Sequence, residues 1–355
     1  MDKMLHDVII LDINYSGYGI VRSLIGQNLN IIAFTPSKYL AENYSKHVDR
    51  YIHFSNENEL FHSLLEFSGS AKKPLLFLTS DHHVLFYSKH RELFDTIFNI
   101  ELPSKKIIDF LMNKTECSAF GSKKGFLYPK TVQLDANSNK KITNDLSFPL
   151  LIKPPYRTKQ WNKAGFPKVF VCNNEEDFKL HLKSSFTITD QVLVQEYIEG
   201  NDSDIYFCLV YYDRNSKCLG SFTGKKIRQW PIGFGSTASA QQADIPYLDE
   251  QTRKFFDLIG YVGFGSIEYK FNSRDNKYYI MEPTVGRLNQ QELVSSLCNM
   301  NLPVISLNSR TLYNLVPRKM KNTDIIYIDE WAELRSVVGH VIDGRLSFRE
   351  WKKSV

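Results

Sequence analysis

The chain has 355 residues, 43% of them hydrophobic and 23% charged, with a formal net charge of +5. This length exceeds one typical core, so we expect two or three subdomains. No apolar run approaches the roughly 20 residues that cross a bilayer, and the dispersed charge does not favour nucleic acid. The N-terminus lacks the apolar segment of a signal peptide, and the five scattered cysteines are typical of reduced thiols. We therefore expect a cytoplasmic protein.

Strand and helix patterns alternate over the first hundred residues. Strands are predicted at 8–13, 30–34, 51–54 and 75–79, and helices at 20–25 and 57–67. Strands that alternate with helices predict a small parallel α/β sheet. We assign this first domain to residues 1–105.

The middle of the chain begins with a predicted linking helix at 107–120. We assign a second domain to residues 106–190. It also contains predicted strands at 130–134, 148–153 and 169–171, a mobile basic loop at 154–168 and a helix at 175–183. The remaining half has α+β character, with strands at 191–198, 205–212 and 217–229 and helices at 248–259 and 289–298. It predicts a third domain, 191–320, and a packed tail, 321–355.

Glu268 and Glu282 lie on two strand-like runs that a turn sequence separates. A hairpin about Asp275 would place Glu268 opposite Glu282 and Phe271 opposite Tyr279. Two carboxylates about 5 Å apart repel by roughly 3 kcal/mol at an effective dielectric of 20. The pair therefore favours a cation between them, and oxygen ligands suit Mg²⁺ that carries nucleotide phosphates. Two solvated glutamates in another register are the alternative.

The loop 14–19, after the first strand, contains two glycines. A nicotinamide fingerprint would need a third glycine where Arg22 stands, and an acid where the second strand ends in Thr35 and Pro36. A tight strand-to-helix turn is therefore the better interpretation. The helix N-terminus beyond the loop could also hold a small carboxylate.

Several cations could contact phosphate. Lys153 ends an apolar strand, and Lys163 lies in the basic loop behind it. Strand alternation would place Lys226 and Arg228 on one face, and Arg287 could clamp a phosphoryl group through two hydrogen bonds. Solvated surface positions are the alternative for the lysines and for Arg228.

The motifs follow a definite order along the chain. They are 8–19, 79–81, Asn113-Lys114 before 125–131, 148–154, 194–200, 263–268 and 281–287. In this order they resemble the ATP-grasp superfamily of carboxylate–amine ligases, up to about Pro303. The resemblance implies a Rossmann-like N-terminal domain followed by a two-lobed ATP-grasp fold. It also implies ATP and one or two Mg²⁺ ions, or Mn²⁺, as cofactors.

The resemblance further implies roles for individual residues. The nucleotide would contact Lys114, Lys153, Lys163, Gln195, Glu196, Tyr197, Ile198 and Asp204, with Asp204 at the ribose. The metal would be held by Glu268, Glu282 and Thr284, where Thr284 replaces the usual Asn and leaves the third ligand open. Phosphoryl transfer would use Arg287, Arg228 and Lys226. The acceptor side would be lined by Asn14, Ser16, Tyr18, Ser80, Asp81 and His82.

The implied activity is amide formation through an acyl phosphate, with small-molecule carboxylate and amine substrates. The extension 283–287 and the tail resemble a subgroup found with surface-polysaccharide and cell-wall genes, so the carboxylate could be sugar-linked. Homodimers are common in the family. Thr284 leaves open a catalytically silent ATP-binding sensor or scaffold, which would bind ATP without releasing ADP. A nicotinamide oxidoreductase conflicts with Arg22.

Overall fold

The computed structural model describes residues 7–36, 44–70, 72–136, 146–155, 158–310, 314–317, 319–320 and 324–354. The N-terminal elements are β1 (Val8–Leu11), α1 (Tyr15–Ser23), β2 (Ile31–Thr35), β3 (Arg50–His53), α2 (Glu57–Leu65), β4 (Leu75–Leu78), α3 (Asp81–Lys89) and α4 (Arg91–Ile97). The middle elements are α5 (Lys105–Met112), α6 (Lys114–Lys123), β5 (Thr131–Asp135), β6 (Leu150–Lys153), α7 (Lys159–Lys163), β7 (Phe170–Cys172), α8 (Glu175–Ser185) and β8 (Gln191–Glu196).

The C-terminal elements begin with a short 3-10 turn (Asp202–Asp204). They continue with β9 (Ile205–Tyr212), β10 (Cys218–Trp230), β11 (Ser236–Gln242), α9 (Pro246–Asp257), β12 (Gly263–Asn272), β13 (Lys277–Val285), α10 (Glu292–Leu297) and α11 (Leu302–Arg310). The last are β14 (Ile326–Ile328), α12 (Glu330–Ile342) and α13 (Phe348–Lys353). Within the described residues, no helix is both long enough and apolar enough to span a membrane.

The N-terminal sheet has the order β3-β2-β1-β4, and its strands are all parallel. The strands β1, β2 and β4 are buried throughout. Parallel sheets are covered on both faces, which explains why these strands are continuous apolar runs in the sequence. The predicted small parallel α/β sheet is confirmed.

The other two sheets are antiparallel. A small sheet has the order β5-β8-β6-β7, and a six-stranded sheet has the order β13-β12-β9-β10-β11-β14. The small sheet includes β8, which begins just beyond the predicted domain limit at 190. The tail contributes β14 to the large sheet. Strands β11 and β14 were not predicted from the sequence.

Strand alternation divides the interior into separate cores. Ile9 of β1 joins a core with Val210 of β9, while Ile10 joins a second core with Leu209. The parallel sheet and the six-stranded sheet therefore pack as one body, because each contributes both faces to shared cores. The small sheet has its own core, which includes Ile152 and Val194.

Two segments between the sheets differ from the prediction. The linking helix is two helices, because Asn113 ends α5 and its side chain accepts a hydrogen bond from the Glu116 backbone N–H at 3.2 Å, which starts α6. The predicted mobile loop contains helix α7, whose Trp161 is fully buried and donates to the Pro167 carbonyl at 2.8 Å. Residues 156–157 of that loop lie outside the described residues.

The β12–β13 hairpin has the predicted register at the glutamates but not at its turn. Glu268 pairs with Glu282, as expected, whereas Phe271 pairs with Tyr278 and not with Tyr279. A β-bulge after Glu268 shifts the pairing by one residue, because β13 contributes the extra residue Met281 there.

Candidate functional site

A cleft of about 820 Å³ lies between the small sheet and the six-stranded sheet. Its aliphatic lining includes Leu151 of β6, Ile198 after β8 and Met281 of β13. Its polar lining includes these predicted site residues: Lys114, Lys153, Gln195, Tyr197, Glu268, Glu282, Thr284, Arg287 and Asp81. A cleft with an apolar part and convergent charges is the usual form of a small-molecule site.

The paired glutamates each contact a lysine. Glu268 lies 2.8 Å from Lys226 Nζ, and Glu282 lies 3.0 Å from Lys114 Nζ. Lys226 is buried on β10, behind Glu268, and Lys114 begins α6. These cations offset the repulsion between the two carboxylates, which is the role that the sequence assigned to a metal ion.

Electrostatics keep Glu282 ionised. Loss of hydration alone would raise the pKa of its carboxyl group, but the charges of Lys114, Lys168 and Lys153 outweigh that effect and lower the pKa to about 2. Glu282 in turn raises the pKa of Lys114. The cleft therefore holds a permanent negative charge among several cations.

Lys153 has the opposite perturbation. Burial and the neighbouring charge of Lys114 lower the pKa of its ammonium group to about 8, although Glu282 acts against the shift. Its Nζ atom donates to Gln195 Oε1 at 2.8 Å, and Gln195 Nε2 donates to Thr131 Oγ1 at 2.8 Å. Because Gln195 is held on both sides, it fixes the direction of Lys153 into the cleft.

Arg287 joins the end of the hairpin to the N-terminal domain. Its Nε atom lies 2.6 Å from Asp81 Oδ1, at the start of α3. Gly286, with φ of 67°, turns the chain at this point, and a Cβ atom there would lie 2.3 Å from Leu102 Cδ1. Only glycine fits this left-handed, crowded position, so Gly286 sets the direction of Arg287.

Three residues predicted to bind the nucleotide are not among the described residues that line the cleft. Glu196 accepts a hydrogen bond from the Lys130 backbone N–H at 3.2 Å. Asp204 accepts one from the Asn201 backbone N–H at 2.6 Å. Lys163 is exposed in the last turn of α7. The side chains of Glu196 and Asp204 thus bind backbone here.

Of the six predicted acceptor residues, Asp81 lines the cleft. Asn14 and Ser80 cap α1 and α3, so their side-chain oxygens are bound to backbone N–H groups. Ser16 is buried in α1, Tyr18 packs under the guanidinium of Arg22, and His82 is exposed, 3.9 Å from Glu57. The residues at 14, 16 and 80 therefore shape the rim of the parallel sheet.

Arg228, which was predicted to act in phosphoryl transfer, lies in a buried ion pair and is absent from the described cleft lining. Register shifts in β10 on either side of Arg228 turn its side chain away from Lys226, so the two do not share a face. Arg228 pairs with Glu333 of α12 and donates to Ser354 Oγ at 2.9 Å. The side chains of Arg228 and Glu333 are both buried, 6% and 4% exposed respectively.

Breaking this ion pair should destabilise the protein. We expect Arg228→Met to lower the free energy of unfolding by about 3–5 kcal/mol, because Glu333 is left as an unpaired buried charge. Urea unfolding would measure the loss. The double variant Arg228→Met with Glu333→Gln should recover much of it, since no buried charge then remains. A loss below about 1 kcal/mol for the single variant would contradict the structural role.

The cleft lining also contains polar residues that the sequence did not predict as site residues, among them Lys168, Lys270 and Gln229. Lys270 lies two residues after Glu268 on β12, and strand alternation could have placed it on the same face. Its Nζ atom donates to the Gly200 carbonyl at 2.8 Å. Gln229 carried no local signal, because the irregular β10 strand brings it to the cleft.

The donor set fits Mg²⁺. Glu268, Glu282 and Thr284 offer oxygen atoms at the cleft, and Mg²⁺ favours oxygen ligands, few carboxylates and substrate phosphates. The described part of the chain contains no group of three or more His, Cys, Asp or Glu residues that could hold a metal ion. Such a site would therefore need oxygen atoms from a bound phosphate or from water.

Comparison with known proteins adds a curated relative. The chain is 23% identical over 228 residues to the D-aspartate ligase of Enterococcus faecium (strain Aus0004). The aligned region covers 61% of this chain and 54% of that protein. The chain thus spans about half the length of this curated relative. No protein-family model matches the chain.

Solved structures show the fold. The L-amino acid ligase from Bacillus licheniformis has a TM-score of 0.61 and 12% identity, covering 89% of this chain and 78% of that one. The biotin carboxylase domain of the Hydrogenobacter thermophilus 2-oxoglutarate carboxylase has a TM-score of 0.65 and 13% identity, covering 88% and 72%. The chain shares their fold.

Proposed function

We propose that the chain is an ATP-dependent carboxylate–amine ligase that acts through an acyl phosphate. The observation that carries the proposal is the facing pair Glu268 and Glu282 in a cleft that also holds Lys114, Lys153 and Arg287. The similarity to a D-aspartate ligase and the shared fold with an L-amino acid ligase support the same class of reaction.

ATP would bind in this cleft. Leu151, Ile198 and Met281 offer aliphatic surface for the adenine, and Lys114 and Lys153 offer charge for the phosphates. The biotin carboxylase domain that shares this fold was solved with MgADP. Tyr197 and Gln195, which also line the cleft, would complete the nucleotide site with the backbone at Glu196.

The metal would be held by Glu268 and Glu282, with Thr284 beside them. When bound, Mg²⁺ would neutralise phosphate charge and polarise the phosphoryl group. Lys226 and Lys114, which contact these carboxylates in the free chain, would then be able to bind phosphate oxygens instead. Thr284 offers a hydroxyl where the family usually has an amide, so we propose one well-held ion.

The chemistry needs charge stabilisation more than acid–base groups. The substrate carboxylate attacks the γ-phosphorus, ADP leaves, and an amine then attacks the acyl carbon and expels phosphate. Arg287 would stabilise the charge on the transferring phosphoryl group from the acceptor side. Lys168 and Val169, which also line the cleft, would limit access of water to the acyl phosphate.

The substrates are a carboxylate and an amine, and we propose that one of them is an amino acid. This choice follows the D-aspartate ligase and the L-amino acid ligase. A sugar-linked or cell-wall carboxylate remains part of the proposal from the motif at 283–287. The homodimer also stays a prediction; the fold relative from Hydrogenobacter thermophilus was solved as a domain dimer.

An ADP-release screen tests the proposed function. Amino acids of both chiral forms, including D-aspartate, would be paired with uronic acids, short peptides and simple amines in the presence of Mg²⁺ and ATP. We expect ADP release that requires both a carboxylate and an amine. ATP binding without ADP release across the panel would favour the silent sensor or scaffold instead.

Nucleotide affinity should depend on pH through Lys153. Its pKa of about 8 means that Lys153 is charged below pH 8 and loses its charge above it. Because phosphate binds the charged form, we expect a constant Kd for an ATP analogue below about pH 7.5. Above pH 8, Kd should rise up to about tenfold per pH unit.

Titration calorimetry between pH 6.5 and 9.5 would measure this dependence. Lys153→Arg is the matched control, because a guanidinium stays charged throughout the range. Its affinity should stay constant above pH 8. A wild-type Kd that does not change between pH 7 and 9.5 would contradict a direct contact between Lys153 and phosphate.

A further inference from the structure

A chain of polar contacts runs from helix α12 to the candidate metal site. His340 of α12 lies 3.4 Å from Asp202 Oδ2. Asp202 Oδ1 accepts a hydrogen bond from Gln229 Nε2 at 2.9 Å, and Gln229 Oε1 accepts one from Lys226 Nζ at 3.3 Å. Lys226 in turn contacts Glu268 at 2.8 Å. Asp202, Gln229 and Lys226 are each at most 5% exposed.

Asp202 also holds the loop between β10 and β11. Its Oδ1 atom accepts a hydrogen bond from the Gly233 backbone N–H at 3.0 Å, and its Oδ2 atom accepts one from the Gln229 backbone N–H at 3.2 Å. Gln229 and 233–235 line the cleft. The position of this wall therefore depends on a carboxylate that itself lies outside the described lining.

The packing of α12 gives independent support. A Cβ atom at Gly339 would lie 2.7 Å from Ile232 Cδ1 and 3.6 Å from Trp230 Cζ3. Glycine within a helix costs about 1 kcal/mol relative to alanine. Here it lets the helix backbone approach the loop directly, next to the residue that contacts Asp202. Helix α12 thus touches the loop by packing and by hydrogen bonding.

We propose that His340 is a positioning residue, which acts through Asp202 on Gln229 and the loop 231–235 and so sets one wall of the nucleotide cleft. The segment 324–354 then contributes to the geometry of the site. The inference rests on the proposed function for its consequence, because it assumes that the cleft binds ATP. The link between His340 and the loop 231–235 concerns the ligand-free protein alone.

Two substitutions separate hydrogen bonding from packing. His340→Leu introduces an apolar side chain of similar size that cannot donate to Asp202, whereas His340→Gln keeps an N–H donor. Arg335→Ala, on an exposed position of the same helix, is the matched control. All three would be compared with the full-length wild type below the temperature at which any of them unfolds.

Hydrogen exchange in the ligand-free protein gives the first readout. We expect His340→Leu to speed amide exchange in the segment 230–235 about tenfold, because the Gly233 N–H loses a well-held acceptor. His340→Gln and Arg335→Ala should exchange like the wild type. Unchanged exchange in His340→Leu would overturn the link, even if the variant melted at a lower temperature.

Affinity for a non-hydrolysable Mg²⁺–ATP analogue gives the second readout. We expect Kd to rise about tenfold in His340→Leu and to return towards the wild-type value in His340→Gln. Faster exchange with unchanged Kd would overturn the role in the cleft. A wild type that binds no nucleotide would refute the proposed function, while the exchange experiment would still decide the link between His340 and the loop.

Discussion

Glu282→Gln should abolish most of the nucleotide-dependent activity. The substitution keeps the size of the side chain and removes its negative charge. In the wild type, the surrounding lysines keep the Glu282 carboxyl group ionised by lowering its pKa to about 2. The proposed metal ion would lose one of its two carboxylates, and we expect ADP release to fall by about 10²–10³-fold. A coupled ADP assay at saturating substrate would measure the loss.

A matched variant separates this effect from any loss of surface charge. Glu175 of α8 also pairs with a lysine, Lys179, at 2.7 Å, but it is exposed and does not line the cleft. Glu175→Gln should keep wild-type activity. Activity of Glu282→Gln within about threefold of the wild type would contradict a metal-binding role for this carboxylate.

Arg287→Met should lower the rate of phosphoryl transfer more than nucleotide affinity. Arg287 lies at the end of the cleft next to Asp81, where the transferring group would meet the acceptor. Removing an arginine that stabilises such a group costs about 10³-fold in kcat. We expect that loss at saturating ATP, with the Kd of an ATP analogue changed by less than about threefold.

Two further variants make this result specific. Arg287→Lys keeps the charge but not the paired N–H donors, so its kcat should fall between those of the wild type and Arg287→Met. Arg274→Met removes an exposed arginine of the same hairpin, which pairs with Glu199 at 2.5 Å, and should have no effect. Equal losses of kcat and affinity in Arg287→Met would instead indicate a nucleotide-binding residue.

Much of the fold could be predicted because local patterns and tertiary structure agree. The parallel strands β1, β2 and β4 are largely apolar runs, and the turn residues between two strand patterns predict the β12–β13 hairpin. The bulge at Met281 has no such signal, so the turn-proximal pairs were one residue wrong. Strand β11 was missed because its small polar residues have little β-propensity, and pairing with β10 and β14 imposes the conformation.

The site could be predicted where its residues follow strand ends and motifs. The structure brings Lys114, Lys153, Glu268, Glu282 and Arg287 to one cleft, although they are far apart in sequence. The buried ion pair of Arg228 could not be predicted, since its partner Glu333 lies 105 residues away and no local pattern links them. The path from His340 to Lys226 depends in the same way on tertiary contacts alone.

Transfer of oxygen from the carboxylate substrate to phosphate tests the central claim most directly. A carboxylate labelled with ¹⁸O, chosen from the pair that releases ADP, would be turned over with ATP, Mg²⁺ and the amine. An acyl phosphate requires one labelled oxygen in the phosphate released in each turnover, and we predict that result by mass spectrometry. ADP formation with unlabelled phosphate would contradict the acyl-phosphate ligase.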